Sequence, residues 1–513
     1  MKKKTEISSS ALVSISSLTL KAQRSGMDTR KHFVAAINND CSICKSAGFR
    51  SEARINIEHG GRSIIATLYI TKNPFIGTGA IGLSDSAWEK LGVKEGDKLI
   101  VTLAETLDSF GLVRAKLHGK TLSNQDYKDI MNDMVEGRYS DIQLAAFITA
   151  FVDLDRVETT SLTKAMSESG RQLKWPQSPI VDKHCVGGVP GNRTTMILVP
   201  ILAAHGLTIP KTSSRAITSP SGTADTMEVI APVDLTINEM RSVVEKEGGC
   251  IIWGGSVDLS PADDVLVQVE RALDLDSQSQ LIASVLSKKL AAGSTHVLID
   301  IPIGPTAKVR YRNEAEVLKT LFLEVGQDIG LNIQIVETDG TQPVGRGIGP
   351  ALEARDVLSV LRNEKDAPQD LKAHSLFLAG KILESCGRIP MGKGMLEAQR
   401  ILEDGEALKK FEAICKAQGG FREPTFAPFK HIITSTQHGA ILSIDNRLIS
   451  RIAKLAGAPD SPAAGIDLHV SLNTIVEKGQ PLFTIYAESP GELNYALHYF
   501  HSHQQVILIG DAS

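Results

Sequence analysis

The segment Val181-Asp182-Lys183-His184-Cys185-Val186-Gly187-Gly188-Val189-Pro190-Gly191-Asn192-Arg193-Thr194-Thr195 constrains the fold more than any other stretch of the chain. A short strand, Ile180-Val181, runs into it, and an apolar helix beginning near Thr194 runs out of it. A strand, a glycine-rich turn and a helix N-terminus together form a βα unit that traps anions. The glycines let backbone N–H groups approach a ligand, and the helix end carries partial positive charge. Lys183 and Arg193 add full charge, and Thr194 and Thr195 add hydroxyl donors. The spacing is not that of a Walker A loop, so no nucleoside triphosphate is implied. The plainer alternative is a βα turn whose glycines serve geometry alone. His184 reads as a hydrogen-bonding pocket residue rather than a nucleophile, and it joins the catalytic candidates in that role.

The rest of the chain is organised around this unit. A length of 513 residues exceeds what one core normally holds, so several domains are expected. Residues 1–105 are β-rich: Leu12 to Ala22 reads as a strand with Leu18, Leu20 and Ala22 on one face, and Leu91 to Val101 as a helix end, a turn and a strand. Short strands with glycine turns suggest a barrel-like module. Residues 106–178 are helical, with Gly137 ending one helix, Asp141 capping the next through Ile148, and Ser161 to Gly170 forming another. A stretch at about 260–295 is expected to join them. From 179 to 425, buried-looking strands and helical stretches alternate (Ile180-Val181, Met196 to Ala204, Val297 to Ile301, Ile333 to Val336), which indicates an α/β domain. Residues 426–513 form an α+β domain in which Ile466, Leu468 and Val470 alternate with polar residues and Gly479-Gln480-Pro481 turns the chain.

Composition excludes several functions. A net charge of −4 argues against binding a nucleic-acid polymer, which calls for a basic excess or stripe. No apolar run is long enough to cross a bilayer. The start, Met1-Lys2-Lys3-Lys4, is followed by Glu6 and broken by Ser14, Ser16 and Ser17, so a secretory signal is not expected. Six cysteines are too sparse for a disulfide framework, which suits a reducing cytoplasm. Cys41-Ser42-Ile43-Cys44 lacks the second pair that a zinc site needs, and reads as a loop with two free thiols.

Two further segments carry chemistry. Lys211-Thr212-Ser213-Ser214-Arg215-Ala216-Ile217-Thr218-Ser219-Pro220-Ser221-Gly222-Thr223 gathers hydroxyls around one arginine, suited to phosphate and sugar oxygens or simply to solvent. In Leu281 to Lys289, Ser284 and Lys288 lie four apart on one helical face, while Lys289 points elsewhere and reads as solvated. Asp274 and Asp276 precede this helix, where an acid raised by burial can serve as a proton donor. Gly345-Arg346-Gly347-Ile348-Gly349 reads as a turn, and Asp263-Asp264 as surface acids rather than metal ligands.

Together these segments resemble the thymidine phosphorylase (pyrimidine-nucleoside phosphorylase) family from about Leu122 to the C-terminus. Lys183-His184 with Gly187-Gly188, Ser213 to Thr223, and Ala283-Ser284 with Ser287-Lys288-Lys289 occur in the family's order and spacing. Val189-Pro190-Gly191-Asn192, Thr212 to Thr218, Trp253-Gly254-Gly255 and the extra N-terminal module are similar to the type 2 branch, closest in motifs to AMP phosphorylases. The resemblance implies a nucleoside phosphorylase/phosphoribosyltransferase type of fold. It implies phosphate binding at Lys183, Thr195, Ser213 and Thr223, to which the turn itself adds Gly187 and Gly188. It implies nucleotide binding at Gly188, at Ser214, Arg215, Ala216, Ile217, Thr218 and Ser219, and at Thr223, Ser284 and Lys308. Asp276 matches the acid that protonates the leaving base, and Lys288 a base-contacting lysine. The arginine that contacts the pyrimidine carbonyl in typical members falls here at Val269, flanked by Gln268 and Glu270, with Arg271 offset; Cys185 replaces a family serine.

The expected reaction is phosphorolysis: a phosphate dianion stabilises an oxocarbenium-like sugar, attacks the anomeric carbon and releases the base, with phosphate as co-substrate and neither cofactor nor metal. Closure between the helical and α/β parts is expected to exclude water. A nucleoside or nucleotide is the expected small-molecule partner, and a homodimer or larger homo-oligomer the expected assembly. Rival readings are a thymidine phosphorylase, an anthranilate-type phosphoribosyltransferase using magnesium, and a non-catalytic nucleotide-binding assembly protein.

Overall fold

The computed structural model describes residues 17–510 apart from 30–31, 42–48, 73, 217–218, 274 and 276. The chain divides into two compact units, Met1–Phe151 and Val152–Ser513. The boundary falls inside the segment expected to be one helical domain.

In the first unit, alternating apolar residues build six strands: β1 (Leu18–Arg24), β2 (Val34–Asn38), β3 (Arg54–His59), β4 (Arg62–Thr71), β5 (Ala80–Leu83) and β6 (Lys98–Leu103). They close into a barrel in the order β1-β5-β2-β4-β3-β6, with β1 and β6 antiparallel across the seam. Closure removes the exposed sheet edges that open strands would present. Leu20 and Ala22 point inward and Leu18 is half-buried, the face read from the sequence; Leu12 to Ser16 lie outside the described residues. Helix 85–91 ends on Gly92, whose φ of 65° favours glycine. Helices Asp108–Leu117, Asn124–Val135 and Asp141–Ala150 follow. Asp141 is not the cap of the last one: Ser140 accepts from the Gln143 N–H, and Gln143 reaches back to Ser140 N. The reading of Cys41 as a free thiol is also corrected, because it is disulfide-bonded.

The second unit opens with helix Arg156–Glu168, longer than the expected Ser161 to Gly170 because Asp155 caps it earlier. It packs on helix Gln278–Ala291, whose cap Ser277 donates to Val152 O at 2.7 Å. Strands β7 (Val181–Cys185), β10 (His296–Ile303) and β11 (Asn332–Asp339) form a parallel sheet in the order β11-β10-β7. Strands β8 (Ile209–Ser213) and β9 (Gly249–Trp253) pair in parallel, and an Ile180–Thr208 bridge links them to β7. Helix Thr194–Ala204 is buried from Thr194 through Ala203, as an all-apolar helix requires. The Gly345–Gly349 run does more than turn: it carries β12 (Gly347–Ile348), which pairs with the C-terminal sheet. There, β13 (Phe429–Thr434), β14 (Gly439–Ile444), β15 (Gly465–Leu468), β16 (Ile475–Val476), β17 (Pro481–Ala487) and β18 (Ile507–Gly510) form the sheets β12-β15-β17-β13 and β16-β14-β18, with helices Asn446–Leu455 and Pro490–Ser502 against them. No helix among the described residues is long and apolar enough to cross a membrane.

Candidate active site

In parallel sheets, ligands bind beyond the C-terminal ends of the strands, where the loops converge. Here the ends of β7, β8 and β9 open onto a cavity of about 550 Å³. At its floor, Gly187 and Gly188 have φ of 103° and 86°, in the left-handed region. A Cβ on Gly188 would sit 2.1 Å from the backbone nitrogen of Lys308, so only glycine fits that approach. The turn delivers the chain to the N-terminus of helix Thr194–Ala204, as the sequence indicates.

Strand alternation sends neighbouring β7 side chains to opposite sides of the sheet. Lys183, 1% exposed, donates to Thr194 Oγ1 at 3.0 Å and pairs with Asp300 of β10 at 3.3 Å. On the other side, Asp182 is gripped by Lys211 of β8 at 3.0 Å and by Lys289 at 2.7 Å. Lys289 is therefore not a solvated side chain; it is 3% exposed and belongs to the buried network. Burial opposes ionisation of Asp182, but Lys211 and Lys289 more than offset it and hold its carboxyl below the usual range. Asp300 is held low in the same way, by Lys183 and by bonds from His374 and Thr338. Three buried lysines thus face two buried aspartates, so that with all three lysines protonated one positive charge under the glycine turn is left uncompensated. Lys211 registers that excess: burial and the neighbouring Lys289 push it down to about 7 against the pull of Asp182.

Hydroxyls stand over this charge. Ser213 Oγ is buried with no hydrogen-bond partner among the described residues, and Thr195 is 6% exposed in the cavity wall. Thr223 Oγ1 lies 3.3 Å from Arg193 Nη1. Arg193 itself is not a free anion ligand. Its guanidinium pairs with the buried Glu353 and donates to Ser221 O at 2.6 Å, so it braces the loop. Arg215 is committed likewise: it pairs with Glu228, reaches Asp234 at 3.3 Å and lies over the Trp253 ring at 4.9 Å. Ser214, Ala216 and Ser219 line the cavity, whereas Ile217 and Thr218 lie outside the described residues.

His184 is held well below its usual pKa by burial and by Lys289, Lys211, Lys288 and Lys183, so at neutral pH it offers a hydrogen bond and no imidazolium proton. Burial pushes the Cys185 thiol up to about 12, so it remains a thiol. Opposite them, Ser284 and Lys288 share the wall as their spacing implies. Lys288 pairs with Asp263 at 2.5 Å; burial works against its charge, but Asp263 raises its pKa and keeps it an ammonium. Asp263 is therefore not a surface acid but a buried partner, 2% exposed. Among the described residues, no group of three or more His, Cys, Asp or Glu is placed to hold a metal. Lys308 lines the cavity, is exposed, and makes no ion pair among the described residues, though its charge is felt by the Glu270 carboxyl. Asp276 lies outside them. One wall residue went unremarked as a site candidate in the sequence, Glu270, whose burial and proximity to Asp263 push its carboxyl up to about 7. Its only sequence signal was helical spacing from Asp263 and Val267.

A glycine turn over buried lysines, facing a second wall of polar side chains, marks this cavity as the candidate site of an enzyme acting on an anion. Comparison with known proteins specifies it. Residues 177–408 match the glycosyl transferase family, a/b domain; residues 111–170 match its helical bundle domain; and residues 440–506 match the pyrimidine nucleoside phosphorylase C-terminal domain. Proteins named "Putative thymidine phosphorylase" are similar over nearly their whole length. One from Polaromonas sp. is 54% identical, covering 96% of this chain and 98% of the relative. One from Legionella pneumophila (strain Paris) is 53% identical, covering 96% of each. One from Hahella chejuensis is 52% identical, covering 96% of this chain and 98% of the relative. The chain belongs to this glycosyl transferase family, as a pentosyltransferase of its pyrimidine-nucleoside (thymidine) phosphorylase group. A crystal structure of anthranilate phosphoribosyltransferase from Thermus thermophilus shares the fold, with a TM-score of 0.51 at 19% identity, covering 60% of this chain and 98% of that one.

Proposed function

We propose that this protein catalyses reversible phosphorolysis of a nucleoside 5′-monophosphate, yielding free base and ribose 1,5-bisphosphate. The observation that carries the reading is the single uncompensated positive charge of Lys183, Lys211 and Lys289 against Asp182 and Asp300, beneath Gly187-Gly188 and a helix N-terminus. A buried cation excess is costly until an anion completes it. Inorganic phosphate placed there accepts from the turn, Lys183, Thr195, Ser213 and Thr223. As the C1′–N bond breaks, the dianion stabilises the cationic sugar, and a phosphate oxygen forms the new C1′–O bond. The base leaves with a proton, for which the family resemblance nominates Asp276, while Lys288 holds the base and neutral His184 contributes a hydrogen bond.

The 5′-phosphate is supported by a second cation, Lys308, exposed in the cavity and in no ion pair among the described residues, and by the Ser214 and Ser219 hydroxyls in the same wall. A second reading, thymidine phosphorolysis, is favoured by the names of the relatives. Against it, the position at which typical members of the resembled family carry the base-contacting arginine is Val269 here, which is not in the cavity lining, whereas Val267 and Glu270 of the same helix are.

The test is base release from AMP, CMP, UMP, thymidine and uridine, each with and without phosphate. Release that requires phosphate and is faster with monophosphates supports the proposal. Release confined to thymidine and uridine selects the second reading, and release that ignores phosphate overturns both. EDTA is expected to leave the rate unchanged, because Asp263, the acid nearest the base-contacting lysine, is already paired with that lysine; a magnesium-dependent phosphoribosyltransferase would lose its activity.

A further inference from the structure

We propose that Glu270 is the acid that hydrogen-bonds the departing base and hands it a proton. This rests on the phosphorolysis reading above and gives Glu270, whose side chain lies in the described wall, the donor role for which the family resemblance nominates Asp276. On helix Pro261–Leu273 the residues facing the cavity are Asp263, Asp264, Val267 and Glu270, spaced three and four apart on one helical face. Glu270 is the last of that face, half-buried, and no hydrogen bond or ion pair engages its carboxyl among the described residues. Val267, Leu275 and Leu281 supply apolar surface in the same wall for a flat ring. Asp263 cannot do this work, because Lys288 holds it at 2.5 Å.

The groups facing Glu270 come from three elements. Asp263, on its own helix, opposes its ionisation; Lys288 from the facing helix and Lys308 from the loop after β10 favour it. Burial outweighs these, so the carboxyl stands near 7 and carries its proton in much of the protein at neutral pH. This is the range in which a general acid works best. In the step itself, the C1′–N bonding pair moves to the base, the base takes the Glu270 proton, and the carboxylate left behind is stabilised by Lys308 and Lys288. Hydrogen phosphate loses its own proton on becoming the sugar ester, which balances the one delivered to the base. In the reverse direction the carboxylate takes the proton back.

The experiment compares wild type, Glu270→Gln and Asp276→Asn on a substrate that wild type cleaves, and on its counterpart whose base bears an electron-withdrawing group such as fluorine. All rates are taken at saturating phosphate, with thermal midpoints and sulfate binding measured in parallel to establish that the variants fold. Glu270→Gln is expected to lower kcat by roughly 100-fold or more on the ordinary base, the usual size of general-acid catalysis. It should lower it far less on the activated base, which leaves well without a proton. The decline of wild-type kcat as pH rises through about 7 should flatten in this variant. Equal losses on both bases, a pH limb that survives, or a rate within about threefold of wild type would each overturn the assignment; a leaving-group dependence seen only in Asp276→Asn would transfer it to that residue. If wild type releases no base from any substrate, the function itself fails, and the Glu270 role with it; if wild type is active and Glu270→Gln is its equal, only the Glu270 role falls.

Discussion

At the scale of single residues, the site is governed by which charges are cancelled. Lys211 stands at about 7 rather than the usual 10.5, so in the free protein its proton is shared with solvent near neutrality. An anion bound above it favours the ammonium form. Binding is therefore expected to take up a proton at pH 8, where the free amine predominates. Sulfate, which does not titrate there, is the clean probe: calorimetry in buffers of different ionisation enthalpy should show uptake in wild type and none in Lys211→Met. The stability sign follows from the same shift. The unfolded lysine keeps its proton up to about 10.5, so the folded state binds fewer protons between about 7 and 10.5. Stability without ligand is thus eroded as pH falls through that window, and the bound anion relieves the loss. Ser213, with its buried and unpartnered hydroxyl, should matter mainly for phosphate. Ser213→Ala is expected to raise the phosphate KM by roughly 10-fold or more, since a hydrogen bond to a charged group contributes about 1.5–3 kcal/mol, while leaving affinity for the nucleotide near wild type in equilibrium binding.

At the scale of elements, the decisive piece is the turn between β7 and helix Thr194–Ala204. Strand, turn and helix were all legible, because each follows from residues adjacent in the chain: apolar alternation, a glycine pair, an all-apolar run. The reason Gly188 must be glycine was not legible, because the obstacle is the backbone of Lys308, 120 residues away in sequence. Gly188→Ala would combine a left-handed φ of 86° with a 2.1 Å clash. The strained backbone alone costs about 1–3 kcal/mol. A lowered thermal midpoint together with loss of sulfate binding is the expected outcome, and unchanged sulfate affinity would show that the turn does not hold the anion. Helix starts were read less well. Asp141 and Ser161 were sensible polar starts, but Ser140 and Asp155 are the residues whose side chains meet free N–H groups. Neighbouring polar residues compete for a cap, and only backbone geometry chooses between them.

At the scale of the whole molecule, two compact units carry separate cores, one inside the barrel and others around the parallel sheet and the C-terminal sheets. The cavity proposed to hold the anion is lined wholly by residues of Val152–Ser513. A ligand that binds only the folded form stabilises it by about 2.7 kcal/mol at a hundred times its Kd. Saturating phosphate should therefore slow amide exchange in β7, β8 and helix Thr194–Ala204, and leave the barrel strands β1 to β6 exchanging as before; equal protection of the barrel would mean that the two units open together.

The sequence by itself determined the element types, the barrel-like and α/β modules, the glycine-turn cradle and the pairing of Ser284 with Lys288 on one wall. These are short-range properties: a period of two or of 3.6 residues, a turn, a helix start. Only the tertiary structure decided which charges remain available. It buried Lys289 on Asp182 and Lys183 on Asp300, committed Arg193 to Glu353 and Arg215 to Glu228, and drew Asp263 in to Lys288. It left Lys308 and Glu270 in the cavity without an ion-pair partner among the described residues. Most of those partners lie far apart in the chain, Asp182 and Lys289 by more than a hundred residues. A charge is neutralised by what folding brings beside it in a dry interior, and no local pattern encodes that.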